Sequence, residues 1–158
     1  MRLREHPLVF DRGFAWKPFE AAPGFDSGWW RGRAVVGHIY ISAQKGGSEV
    51  ARIDLNESVW VGDHPGAPDG PDLLEIQFIE VREDLRFDGL GTEIVATIAD
   101  RYLGRQLVAR PTEDAESYWG KHLKWRRYGH RDGSLYPPLF VKPSLGRSGR
   151  AARSRPAT

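Results

Sequence analysis

Residues 73–103, LLEIQFIEVREDLRFDGLGTEIVATIADRYL, change their hydrophobic period once, and this change constrains the fold more than any other feature of the chain. In the first part alternate residues share a face, with Leu74, Ile76 and Phe78 on one side and Glu75, Gln77, Ile79 and Val81 on the other. A period of two predicts a strand. After Gly89 and Gly91 the period lengthens, and Leu90, Ile94, Val95, Ile98 and Tyr102 fall on one side of a helix that Gly104 closes. Strand, glycine loop and helix thus follow one another directly. Such a loop leaves backbone N–H groups free at a helix N-terminus, where the helix dipole adds partial positive charge, and phosphate groups bind there readily.

The spacing sorts the families that build this unit. A P-loop needs Lys-Ser or Lys-Thr after its last glycine, and here Thr92-Glu93 follow Gly91. A dinucleotide fingerprint needs a third small residue where Ile94 stands. What is present is Arg86-Phe87-Asp88-Gly89-Leu90-Gly91, after a strand that ends in Glu80-Val81-Arg82. This R-x-x-G-x-G set resembles the acyl-coenzyme A loop of the GNAT superfamily of N-acetyltransferases, whose signature is Q/R-x-x-G-x-G/A. A strand–turn–helix connection without a ligand is the other reading of the same six residues.

With 158 residues, one domain with a full core is expected. The chain is 40% hydrophobic and 28% charged, a globular composition. It has no cysteine, which excludes disulfides, thiolate metal sites and cysteine nucleophiles. The five histidines form no H-x-x-x-H pair, so no metal site is expected. No apolar run approaches the roughly 20 residues of a membrane span, and MRLREHPLVF lacks a signal-peptide core. A cytoplasmic protein without membrane partners is expected. The net charge of +2 and pI near 9.0 suggest nucleic acid, but four arginines without an acid lie in residues 144–158. Taking those four charges away leaves residues 1–143 at −2. Nucleic acid is therefore a poor expectation for the domain. The Gly, Ser, Ala and Arg residues of 144–158 read as a basic, disordered tail.

Along the rest of the chain, Leu8-Val9-Phe10 suggests a short strand, and residues up to 33, broken by Pro18 and Pro23, show no helical stripe. Trp16, Trp29 and Trp30 would line a pocket or plug a core. Ala34–Ser42 and Glu49–Val61 alternate as two strands of an antiparallel hairpin around a turn at Gln44–Ser48. Residues 62–72 are a long loop with three prolines. After the helix, Gln106–Arg110 reads as a strand stopped by Pro111. A second helix is expected from Glu113 to Arg127, capped by Thr112, with Ala115, Tyr118, Trp119, His122 and Trp125 inward. A last strand follows Pro138.

This order matches the GNAT core over about Ala34–Lys142. The resemblance implies an α+β fold (α/β in GNAT style): a central, mostly antiparallel mixed sheet with helices on both faces, and an abbreviated N-terminal helical part. It implies one GNAT-like domain over residues 1–143 and an acetyl-coenzyme A-dependent N-acyltransferase. A small-molecule or protein amine would be the acceptor, and a monomer or homodimer is expected. A coenzyme A-binding regulatory module without catalysis, and a nucleic-acid-associated protein acting through its tail, are the rival functions.

By the same resemblance, the backbone of Ile79, Glu80 and Val81 would hold the pantetheine arm like an added strand. The pyrophosphate would rest on the loop Arg86, Phe87, Asp88, Gly89, Leu90, Gly91 and Thr92, with the Asp88 carboxylate turned away. Glu75 and Glu80 are the candidate bases, placed by strict alternation on opposite faces; either can instead pair with a sheet neighbour such as Arg52. For the acid that protonates the leaving thiolate, the family uses a tyrosine seven residues after the N-cap of the last helix. Counting from Thr112 reaches Trp119, with Tyr118 one before it. Tyr118 takes the role if the helix starts one residue earlier, and Tyr128, His122 and His130 are substitutes.

Overall fold

Leu73–Val81, read as the central strand, lies in the middle of a seven-stranded sheet. A computed structural model describes residues 1–8, 10–11, 14–15, 17–26, 28–29 and 34–144. Its strands are β1 (Arg2–His6), β2 (Phe10–Asp11), β3 (Phe14–Ala15), β4 (His38–Lys45), β5 (Ser48–Asn56) and β6 (Leu73–Val81). The helix α1 (Leu90–Arg101) and strands β7 (Gln106–Ala109), β8 (Arg126–Tyr128) and β9 (Leu139–Val141) follow. β2 and β3 pair with each other, and the other seven strands run in the order β1-β4-β5-β6-β7-β9-β8. Among these neighbours β6 and β7 are parallel and the rest antiparallel. A parallel pair needs a crossover, and α1 provides it.

The expected hairpin is β4–β5, turned by Gly46 and Gly47 at φ of 60° and 80°. Positive φ at both central positions suits glycine and matches the strand twist. Its outer ends stop sooner than alternation suggests. Val35 and Val36 stay exposed outside the sheet, and Asn56 Oδ1 accepts the Ser58 N–H at 2.9 Å, which turns the chain away.

The strict alternation read along β6 breaks at Gln77. Pairing with β5 steps from Asp54–Phe78 to Leu55–Ile76, leaving Gln77 as an extra residue in a β-bulge. Leu74, Ile76, Ile79 and Val81 consequently share the face that packs with Ile94 and Ile98 of α1. Glu75, Phe78 and Glu80 share the other face, opposite Asn56, Asp54 and Arg52. Glu75 and Glu80 are therefore on the same face, not on opposite ones.

α1 follows the expected stripe, with Leu90, Ile94, Val95 and Ile98 buried against Ile53, Leu55, Leu74 and Ile76. Burying each such side chain stabilises the fold by about 1.5–3 kcal/mol. The helix expected over Glu113–Arg127 is instead a 3₁₀ turn at Glu113–Ala115, a π turn at Tyr118–His122 and the strand β8. Lys124, at φ 60°, turns the chain so that Trp125 docks on Trp119, ring centroids 4.7 Å apart. This helical segment sits on the α1 face: a Cβ on Gly120 would meet the Phe140 ring, which shares a cluster with Leu107 and Ala109. Over the other face, Val59, Val61 and Ala67 of the 57–72 loop cover Leu73, Val108, Leu139 and Val141. Nearer β4, Phe19, Trp29 and Ala34 pack on Tyr40.

No helix precedes β4 among the described residues, in keeping with an abbreviated N-terminal part. The strand there is β1, paired to β4; the strand expected at Leu8–Phe10 includes Val9, which lies outside the described residues, as do Trp16, Trp30 and the tail from 145 onward.

Candidate active site

β7 pairs with β6 at Leu73, Leu74 and Glu75, and no pairing continues beyond them. The strands part into a V-shaped cleft of about 340 Å³, walled by residues 76–79, 109–112, Ala115, Tyr118 and Trp119. Two features open it. The Gln77 bulge, just past the last paired position Glu75, bends β6, and Pro111 offers no N–H with which the ladder could resume. The Arg82 N–H donates to Val50 C=O at 2.9 Å, so the alternation of an antiparallel ladder turns the backbone groups of Glu80 and Phe78 toward β5 as well. The backbone groups of Ile79 and Val81 are left facing the open edge. Glu80, expected to contribute backbone bonds with them, is turned away by that alternation.

The edge leads into the glycine loop. Gly89 directly precedes α1 at φ 73°, a left-handed conformation natural to glycine. The first turn of α1 closes where the Glu93 N–H donates to Gly89 C=O at 3.3 Å, leaving the earlier amides directed outward. Phe87 and Asp88 are exposed, and Phe87 has φ 71°. Arg86 folds back over the mouth of the V: its Nε–H donates to Val81 C=O at 3.1 Å and its Nη2 is 3.9 Å from Glu80.

Tyr118 joins loop and cleft. Its hydroxyl is 3.2 Å from Thr92 Oγ1, which is also 3.2 Å from His122 Nε2. The Tyr118 and His122 rings stack at 5.5 Å. Burial raises the Tyr118 pKa above its ordinary 10, partly offset by the Thr92 hydrogen bond. Trp119, the residue reached by counting, points into the core at 7% exposure. The counting rule assumes a regular helix; here a tight turn followed by a wide one brings Tyr118 to the cleft instead.

Both candidate carboxylates are buried and partnered, neither with Arg52. Glu80 accepts the Asp26 N–H on one oxygen and the Trp29 Nε1–H at 2.7 Å on the other, pinning Asp26 and Trp29 to the sheet. Trp29 also stacks on Phe78 at 4.6 Å. Glu75 Oε1 is 2.8 Å from Arg110 Nη1, and its Oε2 accepts from Asn56 Nδ2 at 3.4 Å. Arg52 is buried on the same face, ion-paired to Glu49 and donating to Glu20 C=O at 2.8 Å. The substitutes Tyr128 and His130 are on the face away from α1, where Tyr128 packs on the Val108 cluster. Sequence reasoning missed the Glu75–Arg110 pair and the His38–Asp54 pair, Nδ1 to Oδ1 at 2.7 Å. Both span strands, so no sequence spacing marks them. No group of three or more metal-ligating side chains occurs among the described residues, and no described helix is long and apolar enough to cross a membrane.

The sequence matches no family model and no curated protein. Solved structures match the fold. An acetyltransferase from Thermus thermophilus aligns with TM-score 0.51 and 15% identity, over 69% of this chain and 66% of its own. A coenzyme A-dependent acyl-homoserine lactone synthase, solved with SAM and isopentyl-CoA, aligns with TM-score 0.52 and 15% identity, over 68% and 59%. An acetoin utilization protein from Exiguobacterium sibiricum aligns with TM-score 0.50 and 12% identity, over 89% and 86%. The chain thus spans 66% and 59% of the length of the first two. The mixed seven-stranded sheet with few helices is a GNAT fold of the α+β class.

Proposed function

We propose that this protein is an N-acyltransferase that moves an acetyl group from acetyl-coenzyme A to an amine. One observation carries the reading: the open backbone edge at Ile79 and Val81 runs into a glycine loop at a helix N-terminus, with the Tyr118 hydroxyl in the same cleft. Each part fits a different portion of the co-substrate. The edge suits an amide-bearing extended arm, because an added strand satisfies its free N–H and C=O groups. The amides of residues 87–92 and the α1 dipole suit a diphosphate. Gly91 leaves room beside Tyr118, whose hydroxyl lies 3.6 Å from where a Cβ at 91 would stand.

When bound, acetyl-coenzyme A supplies an acyl group activated as a thioester. In the transfer, the amine nitrogen bonds to the acyl carbon, the carbon–sulfur bond breaks, the amine loses a proton and the sulfur gains one. Tyr118 is the proton donor to sulfur, and its raised pKa keeps it protonated at neutral pH. Glu75 is the carboxylate assigned to the amine. Glu80, with both oxygens occupied, positions Asp26 and Trp29 beside the reacting edge. Arg86 must leave Val81 C=O when the arm binds, and the loop brings it to the phosphates.

Calorimetry with acetyl-coenzyme A, followed by thiol release on an amine panel, tests the reading. The chain has no cysteine, so any free thiol that appears belongs to coenzyme A. Micromolar to millimolar binding with amine-dependent thiol release is expected. Binding without release would favour the regulatory module, and absence of binding at millimolar concentration would overturn both.

A further inference from the structure

The face of the sheet away from α1 carries a second cavity, of about 520 Å³. Gln77 and Arg110 line both this cavity and the V-shaped cleft, so the two meet at the point where β6 and β7 part. A molecule in the second cavity would approach the end of the cleft from the opposite side of the sheet.

Three observations describe what the cavity accepts. First, Glu75 lies in its wall, 3% exposed, and its Oε2 receives no more than the long 3.4 Å contact from Asn56 among the described residues. A buried carboxylate oxygen with spare capacity attracts an N–H donor, best a charged one. Second, Arg110 is the one Lys or Arg among the described residues of the wall. Both of its terminal nitrogens are engaged, Nη1 on Glu75 and Nη2 donating to Trp60 C=O. A carboxylate or phosphate entering here would meet Glu75 and Asp63, whose counter-ions Arg110 and Arg131 are already paired to them. His64 in the same wall has its pKa lowered, chiefly by burial, which disfavours its cation. Third, two flat rings stand at the mouth in solvent. Trp60 is 69% exposed, and its indole lies over Gly62, where a Cβ would come within 2.3 Å of the ring. Tyr136 is 51% exposed and stacks on His130 at 4.4 Å. Each ring is backed on one side, Trp60 by Gly62 and Tyr136 by His130, and is otherwise largely in solvent, which suits an apolar flat group or an ammonium.

We infer that this cavity is the acceptor site and that it takes a primary amine on an aromatic or flat apolar body, without a carboxylate or phosphate. The inference rests on the acyl-transfer reading above and adds the substrate class to it. Trp60 and Tyr136 hold the body, Glu75 Oε2 draws the amine toward the junction of the two cavities, and the engaged Arg110 leaves anionic amines unpaired.

2-Phenylethylamine and phenylalanine, which differ by one carboxylate, test it by calorimetry with and without coenzyme A and by thiol release with acetyl-coenzyme A. kcat/KM for 2-phenylethylamine should exceed that for phenylalanine by at least 10-fold. Trp60→Ala and Gly62→Ala should each lower it by about 10-fold, mainly through KM, with unchanged affinity for acetyl-coenzyme A. Trp60 is exposed, so its loss should leave folding intact. Equal or better use of phenylalanine, or an unaltered KM in both variants, overturns the inference while acyl transfer stands. If acetyl-coenzyme A does not bind, the acyl-transfer reading falls and amine binding alone decides. Binding of 2-phenylethylamine weakened by Trp60→Ala then upholds the cavity's chemistry, and no binding at millimolar concentration refutes it.

Discussion

Phe87 holds a left-handed backbone at φ 71° with its side chain wholly in solvent. That conformation costs an L-residue about 1–2 kcal/mol, and no buried contact at Phe87 repays it. Strain of this kind gathers where a loop must present its backbone to a ligand. Phe87→Gly should therefore stabilise the protein by about 1 kcal/mol, read as a higher denaturant midpoint with an unchanged slope. Tyr118 carries the opposite expectation, chemical and not structural. Tyr118→Phe keeps the ring that stacks on His122 and removes the hydroxyl near Thr92. Turnover should fall by roughly 10²-fold or more, the alkaline limb of the pH–rate profile should vanish, and acetyl-coenzyme A affinity should hold. A variant with normal turnover on a genuine amine acceptor would remove Tyr118 from the mechanism.

Among the elements, β6 does the most with one residue. Gln77 is the extra position that lets Glu75 and Glu80 share a face and bends the strand where β7 leaves it. Deleting Gln77 leaves Leu74, Ile76, Ile79 and Val81 in register for the core, so a cooperative thermal transition should survive. The bend should not survive, because a regular ladder lacks the local twist of a bulge. Acetyl-coenzyme A binding is expected to weaken at least 10-fold in the deletion and little in Gln77→Ala. Calorimetry on the two variants separates the bulge from the side chain, and full affinity in the deletion would show that the cleft does not need it.

Across the whole molecule, one polar face runs from β4 to just past β7: His38 on β4, Asp54 and Asn56 on β5, Glu75 on β6, and Arg110 one residue after β7. Asp54 shows the electrostatic cost of covering it. Its carboxyl is pushed up to about 6 from 3.8, chiefly by burial, with Glu75 adding repulsion and His38 opposing both. The folded state thus holds a proton on Asp54 more tightly than the unfolded chain does. This contribution to stability is complete below about pH 4, declines as pH rises to about 6, and is level above. Melting temperatures of wild type and Asp54→Asn measured from pH 4 to 7 should shift in favour of the variant as pH rises through that window. A constant difference would mean that Asp54 titrates normally.

Local pattern was enough for β6, the glycine loop, α1 and the β4–β5 hairpin, because each rests on neighbours within a few residues: period two, paired glycines, period 3.6. The same stretch pointed to the GNAT fold. β1 and β8 are not marked by any local pattern, since RLREH and RRY are edge strands, polar on the solvent side, with Leu3 the one buried residue of β1. The faces of Glu75 and Glu80 depend on a bulge set by how β6 registers against β5, a strand some twenty residues earlier. Tyr118 reached the cleft because Trp119 and Trp125 docked in the core and turned the segment between them out of a regular helix. Arg110 found Glu75 through sheet pairing alone. Elements follow from the periodicity of side chains along the chain; the site comes from bulges, docking and cross-strand charge pairs, which arise only when distant segments pack against one another.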